Sequence, residues 1–123
     1  MLVNLSNHPS AKWGEKQKNT AIEQYGNVED IPFPQVPPTA TSEDIKAMAA
    51  AYVKQIRELA KVKNNQPFAV HIMGEMTLIF RIISLLKRTN IRCVASTTFR
   101  DTIDHPDGSK TFKFEFIQFR EYL

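Results

Sequence analysis

The feature that most constrains the fold is a pair of consecutive apolar segments in the middle of the chain. Residues 68–73 form a nearly continuous apolar run, which is typical of a strand buried on both faces of a sheet. Residues 75–88 are apolar on almost every side of a helix, and such a helix has to be covered on every side. Together the two segments predict a sheet that is covered by helices.

The same alternation of short strands and amphipathic helices extends along the chain. Residues 41–60 give the clearest helix, because Thr41 or Ser42 can cap it, and its apolar residues recur at helical spacing. Residues 97–103 and 111–119 flank an Asp107–Gly108 turn, which predicts a hairpin with Phe112, Phe114 and Phe116 on a buried face. Further strands are predicted at residues 2–5, 28–33, 68–73 and 91–96, further helices at 12–25 and 75–88, and the end of the long helix at 64–67.

This order of elements predicts an α/β chain with a Rossmann-like three-layer fold. Its sheet is mostly parallel and ends in a C-terminal antiparallel hairpin. The proline-rich residues 32–38 remove backbone donors, so they fit a stiff loop or a sheet edge rather than a central strand. A length of 123 residues predicts a single domain, residues 1–123, with a modest core.

Composition and cysteine usage indicate a soluble cytoplasmic protein. The chain is 42% hydrophobic and 24% charged, as is usual for globular domains. Its single cysteine, Cys93, falls in a predicted buried strand and cannot form an intramolecular disulfide. We expect no signal peptide and no membrane span, because no apolar stretch approaches the roughly 20 residues that cross a bilayer.

The charge distribution does not favour binding to duplex nucleic acid. The net charge is +3 and the pI is about 9.1, but the lysines and arginines, Lys63 among them, are scattered rather than clustered. Solubility and a general attraction to anions account for this balance. A small polyanionic ligand is compatible with it.

Three predicted strands run into polar clusters, and these clusters predict one binding site. In an open parallel sheet, ligands bind at the carboxyl ends of the strands, where helix N-termini favour anions. We therefore expect a nucleotide or phosphate pocket at this edge. Its candidate ligand-binding residues are Ser6, Asn7, Ser10, Lys12, Gly74, Glu75, Ser96, Thr97 and Thr98.

His8 and Arg100 are the candidate catalytic residues. Histidine titrates near neutrality, so His8 could act as a general base. Arg100 offers a charged fork suited to phosphate, and Lys12 is the second candidate for that role. His71 lies within an apolar strand and is expected to be a satisfied core histidine, whereas His105 is expected to be solvated in a turn.

Each candidate cluster also has a purely structural interpretation. Asn7 and Ser10 are residue types that often cap turns. Gly74 would let a ligand approach the backbone, while Glu75 could bind a ribose hydroxyl or a base amine, or simply begin a helix. Thr97 and Thr98 are common strand residues.

Motifs for the usual nucleotide cofactors are missing. The sequence contains neither G-x-x-x-x-G-K-[ST] nor G-x-G-x-x-G, which argues against a Walker loop and a standard dinucleotide site. No spacing of His, Asp and Glu suggests a metal centre. We therefore expect no cofactor, and any phosphodiester chemistry would have to proceed without metal.

Three segments resemble the small stand-alone relatives of CARF (CRISPR-associated Rossmann fold) domains. They are the first strand with Asn7-His8-Pro9-Ser10 and a following helix that carries Trp and Gln, Gly74-Glu75 after the third strand, and residues 95–100, Ala-Ser-Thr-Thr-Phe-Arg. The resemblance covers most of the chain. It implies a homodimer of type III CRISPR defence that binds cyclic oligoadenylate second messengers across its two-fold axis.

Some members of that group are ring nucleases that linearise the messenger, and others bind it without cleavage. By this resemblance Ser6, Asn7 and His8 would line the first binding loop, and Gly74 and Glu75 would line the middle of the pocket. The residues that would contact phosphate are Ser96, Thr97, Thr98 and Arg100. The alternatives are a binding or regulatory module for another nucleotide and a purely structural subunit. The all-round apolar character of residues 75–88 independently favours a homodimer.

Overall fold

The computed structural model describes residues 1–62 and 66–123 and has the predicted α/β architecture. Lys63 and the predicted helix stop at Asn64 and Asn65 lie outside the described residues. The elements along the chain are β1 (Leu2–Ser6), α1 (Glu15–Tyr25), β2 (Val28–Pro32), α2 (Ser42–Val62), β3 (Ala69–Met73), α3 (Met76–Lys87), β4 (Arg92–Asp104) and β5 (Lys110–Glu121). We call residues 7–14 the first loop; it contains a short 3-10 helix, Ser10–Lys12.

The five strands form one mixed sheet in the order β2-β1-β3-β4-β5. The first four strands are parallel and β5 pairs antiparallel with β4. This is a flavodoxin-like order. The connection after β1 leads to β2 on one side, and the connection after β3 leads to β4 on the other side, so a switch point lies between β1 and β3. The predicted fold class is therefore confirmed.

Alternating side chains of the strands divide the core into two layers. Val3 and Leu5 face α2 and α3, whereas Leu2 faces α1. On α2 the buried residues are Ala49, Val53 and Ile56, at the spacing that the sequence predicts. The buried thiol of Cys93 belongs to the layer under α2 and α3, and burial raises its pKa to about 12.

The N-terminal helix begins later than predicted. The prediction started it at residue 12, but a 3-10 turn and an extended Trp13 precede α1, and Gly14 is its N-cap. Trp13 is still buried against the α1 layer, while Ile22 of α1 is 55% exposed. At the other end α1 stops at Tyr25, as predicted, and Gly26 follows with a φ of 89°, which glycine adopts without strain.

The largest departure from prediction concerns β4. We expected a strand that ended in a polar cluster near residue 96 and a separate extended run at residues 97–103, but β4 runs without a break from Arg92 to Asp104. The antiparallel pairing with β5 satisfies its backbone beyond the end of β3, and threonine and phenylalanine favour extended structure. Ser96, Thr97, Thr98 and Arg100 therefore lie within a strand and not in a strand-end loop.

Beyond the sheet, β4 and β5 continue as a two-stranded ribbon, residues 97–118. It turns at residues 105–109, where Gly108 has a φ of 86°, as the Asp-Gly signal predicts. The expectation that its phenylalanine face is buried holds only for Phe116, because Phe112 and Phe114 are 47% and 65% exposed. The ribbon carries more apolar surface than the described chain covers.

Gly74 illustrates how closely the carboxyl edge is packed. A Cβ built on Gly74 would approach the Phe33 ring to 2.6 Å, so an aromatic ring occupies the space that the sequence assigned to a ligand. We expect Gly74→Ala to lower the free energy of unfolding by about 1–3 kcal/mol through overpacking, measured by urea denaturation.

Gly14→Ala is the matched control, because a Cβ there meets nothing within 4 Å. In a Phe33→Ala background the cost of Gly74→Ala should largely disappear, since the two sites are then uncoupled. Equal effects of the two glycine substitutions would contradict this account.

Candidate functional site

A polar row crosses three neighbouring strands on the face of the sheet that α1 covers. Asp30, Asn4 and His71 stand at one register in β2, β1 and β3. Asn4 is 1% exposed and His71 is 2% exposed. Because buried polar groups are costly unless hydrogen-bonded, the partners of these side chains determine what this part of the sheet can do.

The Asn4 amide connects the members of this row. Its Nδ2 donates to Asp30 Oδ1 at 2.8 Å, and its Oδ1 lies 2.8 Å from His71 Nδ1. Because Asn4 Oδ1 can only accept, His71 Nδ1 is the protonated ring nitrogen. The Ser6 hydroxyl donates to the same Asn4 oxygen at 2.8 Å.

The first loop is held through the backbone carbonyl of His8. This oxygen accepts from Asn4 Nδ2 at 2.8 Å and from Trp13 Nε1 at 3.0 Å, and the Ser6 hydroxyl oxygen accepts the His8 backbone N–H at 3.2 Å. Asn7 and the His8 side chain remain exposed. The loop therefore presents the side chains of Asn7 and His8 to solvent from a fixed backbone.

Asp30 anchors the other end of the loop. Its carboxylate accepts from the Ser10 hydroxyl at 2.8 Å and from the Ser10 backbone N–H at 3.1 Å. The hydroxyl of Ser10 is thus already engaged by β2 rather than by the backbone of its own turn. Lys12 lies at the end of the 3-10 helix and is exposed.

His71 is a neutral histidine in an aromatic environment. Its ring makes edge contacts with Trp13 and Phe119, at centroid distances of 5.3 and 5.6 Å. Burial lowers the pKa of His71 to about 4, and the charge of nearby His8 acts in the same direction. His71 Nε2 is buried and has no hydrogen-bond partner among the described residues, so the predicted core histidine is satisfied at one nitrogen only.

Glu75 is used by its own helix. Its carboxylate accepts from the backbone N–H groups of Thr77 and Leu78 at 3.1 and 2.9 Å and from the Thr77 hydroxyl at 2.7 Å. These hydrogen bonds lower the pKa of Glu75. The helix-start interpretation describes this residue, and the N–H groups that an anion would meet at the start of α3 are already occupied.

The hydroxyl run of β4 is divided between the sheet and the ribbon. Ser96 Oγ donates to Met73 Sδ at 3.2 Å, next to the end of β3. Thr97 Oγ1 donates to the Gln118 carbonyl at 3.4 Å, and Thr98 is exposed. Only Ser96 of this run lies beside the switch point, where Ser6 and Met73 are paired.

Arg100 lies farther along the ribbon than the sequence suggests. It is four residues beyond Ser96, a rise of roughly 13 Å at about 3.3 Å per strand residue. Its guanidinium lies over the Phe112 ring at 4.2 Å from the centroid and 6.0 Å from that of Phe114. A guanidinium that stacks through its face keeps the N–H groups at its edge available for a phosphate.

A shallow pocket of about 170 Å³ opens at the carboxyl ends of β1 and β2. Asn4, Ser6, Asn7 and Asp30 contribute its polar lining, and Phe33 is among its apolar residues. The acidic group of Asp30 favours hydroxyl or amine donors over phosphate at this point. A ribose or a base edge fits this lining better than an anionic group.

Sequence reasoning missed Asn4, Asp30, Trp13 and the ribbon phenylalanines as parts of this region. The available signal was Asn4 itself, a polar residue in the middle of the apolar run 2–5, because a buried amide needs partners on neighbouring elements. Asp30 could not be identified as that partner without the register of β1 and β2.

The described residues show neither a cluster of metal ligands nor a helix that could cross a membrane. Across residues 1–62 and 66–123, no group of three or more His, Cys, Asp or Glu side chains is arranged to hold a metal ion. None of the helices in these ranges combines the length and the apolar character that crossing a bilayer requires.

Comparison with known proteins identifies a family for almost the whole chain. The model of the Uncharacterized protein MJ1673 family matches residues 1–120. No curated protein and no solved structure gives a significant match. The family description carries no activity, so the function has to be argued from the site.

The buried state of His71 predicts a specific pH dependence of stability. An unfolded histidine titrates near 6.5, whereas burial holds the pKa of folded His71 at about 4. Between these values the unfolded chain binds the extra proton, so stability should fall as the pH is lowered from about 6.5 to 4, by about 2–3 kcal/mol. Urea unfolding at pH 7.0 and pH 4.5 measures this loss.

His71→Gln removes the titrating group, and its amide can still donate to Asn4. The loss attributable to His71 should be absent in this variant and should remain in His105→Gln, which changes an exposed turn residue. If His71→Gln and the unchanged protein lose stability equally over this range, the assignment of a neutral buried ring is wrong.

Proposed function

The chain belongs to the MJ1673 family, and we propose that it binds a cyclic oligoadenylate second messenger of type III CRISPR defence and opens the ring without a metal. The ligand would lie over the carboxyl edge of the sheet, between the first loop and the ribbon. The support comes from the strand order, the fixed first loop and the aromatic ribbon.

The strand order carries the proposal. In a sheet ordered β2-β1-β3-β4-β5, ligands bind at the switch point between β1 and β3. Here Ser6 and Met73 face one another at that point, and the first loop with His8 follows directly. The hydrogen bonds from Asn4 and Trp13 to the His8 carbonyl, and from the His8 N–H to Ser6, fix the loop before any ligand arrives. This reduces the ordering cost of binding.

The ribbon favours a nucleotide with several bases. Exposed aromatic rings are stacking surfaces for bases, each worth about 1–3 kcal/mol, and Phe112 and Phe114 are both exposed beside Arg100. The distance along β4 from Ser96 to Arg100 exceeds what one nucleotide would span, whereas a ring of several nucleotides would reach both. Arg100 would then contact a phosphate through the free edge of its guanidinium.

Ring opening would require only orientation and proton transfer. His8 would remove the proton of a ribose 2′-hydroxyl, whose oxygen attacks the adjacent phosphorus while the bond to the 5′-oxygen breaks. The departing 5′-oxygen takes up a proton, and the products are a 2′,3′-cyclic phosphate and a 5′-hydroxyl. In-line positioning supplies most of the acceleration in such a reaction, and Arg100 would stabilise the charge on the phosphate.

Binding without turnover is the second candidate. The side chains of three candidate residues already form hydrogen bonds within the protein: Ser10, Glu75 and Thr97. His8 is then the remaining candidate base of the first loop, with no described residue that orients its ring. A module that sequesters the messenger would need the pocket but not this base.

The proposal includes a homodimer in the cytoplasm. Met76 and Phe80 on α3 are 79% and 74% exposed, and with Tyr122 and Leu123 they border an apolar groove of about 580 Å³. Burying such surface contributes about 25 cal/mol per Å², so a second copy would stabilise this face. A cytoplasmic chain would meet a second messenger directly.

Incubation of the purified protein with labelled cyclic oligoadenylates of different ring sizes, with and without EDTA, tests the proposal. We expect retention of at least one ring and its conversion to a linear product with a 2′,3′-cyclic phosphate in the presence of EDTA. Retention without conversion would favour the sequestering module. If no ring is retained, the proposed ligand is wrong.

Variants divide this activity into steps. Arg100→Ala should weaken binding by roughly tenfold to a hundredfold, because a charge-assisted contact contributes about 1.5–3 kcal/mol, and should leave the Tm nearly unchanged. His8→Ala should reduce cleavage more than binding. Lys113→Ala is the control, because it also removes a positive charge from the exposed ribbon. Equal effects of Lys113→Ala and Arg100→Ala would contradict a specific role for Arg100.

Light scattering at micromolar concentration should give twice the chain mass. Phe80→Glu places a charge in the exposed face of α3 and should shift the protein toward the monomer without unfolding it. Gln55→Glu adds one negative charge at an exposed position of α2 that does not line this groove, and it is the control for charge alone. A monomeric unchanged protein would remove the dimer from the proposal.

A further inference from the structure

A second cavity lies on the opposite side of the sheet from the first loop. It is formed where the first turns of α2 and α3 meet, and its volume is about 330 Å³. That is at the lower end of the range for small-molecule sites, roughly 300–1,000 Å³. The lining residues are Ala40, Thr41, Ser42, Ile45, Lys46, Thr77 and Arg81.

Arg81 is the unusual residue of this cavity. Its side chain is half-buried, and its Nε is fully buried without a hydrogen-bond partner among the described residues. None of the salt bridges between described residues includes it. A guanidinium is always charged, and an unpaired charge removed from water destabilises the chain that carries it.

Lys46 supplies a second cation from the facing helix. Its ammonium group forms an exposed ion pair with Glu43 at 3.2 Å. Exposed pairs of this kind contribute little to stability, so the lysine is free to turn toward a stronger partner. The cavity thus has a cation on each of two packed helices.

Hydroxyl groups provide the neutral donors. Thr41 Oγ1 accepts the Asp44 N–H at 3.2 Å and keeps its own O–H as a donor. The Asp44 carboxylate in turn accepts the Thr41 N–H, so the start of α2 is already capped by its own residues. An anion in this cavity would therefore meet the side chains of Arg81, Lys46 and Thr41 rather than a bare helix end.

We propose that this cavity binds a small phosphate-bearing anion. Arginine offers a planar fork of donors and lysine a point charge, and a tetrahedral phosphate has enough oxygens to reach both helices at once. A carboxylate has only two oxygens and could not bridge the same set as fully. The bound anion would pair the charge that Arg81 carries unpaired.

This site is separate from the one proposed for the cyclic nucleotide. The first loop packs on the face of the sheet that α1 covers, whereas α2 and α3 cover the other face. The Phe33 ring, packed on Gly74, lines the pocket beside the first loop and does not line this cavity. Occupancy of one site does not require the other.

Titration of the isotope-labelled protein with inorganic phosphate, followed by NMR of the backbone amides, tests the inference. The amides of Thr41, Ser42 and Thr77 should shift and saturate, and equimolar acetate should shift them much less. Arg81→Met should weaken phosphate binding at these amides about tenfold to a hundredfold. Glu43→Gln should strengthen binding, because it releases Lys46.

Thermal unfolding without phosphate is a second measurement, in which Arg81→Met should raise stability although the same substitution weakens phosphate binding. Arg81→Met removes an unpaired buried donor while keeping a long apolar side chain, so the Tm should rise by roughly 3–6 °C. Arg88→Met, at the exposed C-cap of α3, is the control and should change neither the Tm nor the titration. A merely structural Arg81 would give a lower Tm on substitution.

The inference is overturned if phosphate does not shift the Thr41 and Thr77 amides, or if Arg81→Met leaves the titration unchanged. Arg100→Ala should not affect these amides, and Arg81→Met should not affect cyclic oligoadenylate binding. The two proposals can therefore fail independently.

Discussion

The hydrogen bonds of the Asn4 amide are the interactions on which the carboxyl edge of the sheet depends. One buried side chain joins β1 to Asp30 of β2, to His71 of β3 and to the backbone of the first loop at His8. A buried network of this kind is rigid when every member is satisfied and costly when one is lost. The backbone position of His8 is therefore set by the buried Asn4 amide.

The same edge differs from the usual anion site of a parallel sheet. Glu75 caps α3, Asp44 and Thr41 cap α2, and Phe33 fills the space beside Gly74. The helix ends are thus closed by the chain itself, so that in the proposed function the ligand would contact side chains on the first loop and the ribbon. This arrangement suits a ligand that combines bases, riboses and phosphates better than a lone phosphate at the switch point.

Two arginines of this chain carry their charge in contrasting settings. Arg100 is exposed and stacks on Phe112, where its charge is hydrated and its donors remain available. Arg81 is partly removed from water and has a buried Nε without a partner. The hydrated charge of Arg100 costs the folded chain little, whereas the partly desolvated charge of Arg81 destabilises it. The proposal of an anion in the cavity therefore rests on Arg81.

The sequence by itself determined the layers of the fold. Apolar spacing in residues 41–60 and the continuous run at 68–73 predicted the long helix and the buried strand, because periodicity depends only on local geometry. Strand pairing decided the rest: β5 extended β4 through Ser96 and Thr97, the register brought Asp30 to Asn4, and packing placed Phe33 on Gly74. These contacts join residues far apart in the chain, and local propensity carries no information about them.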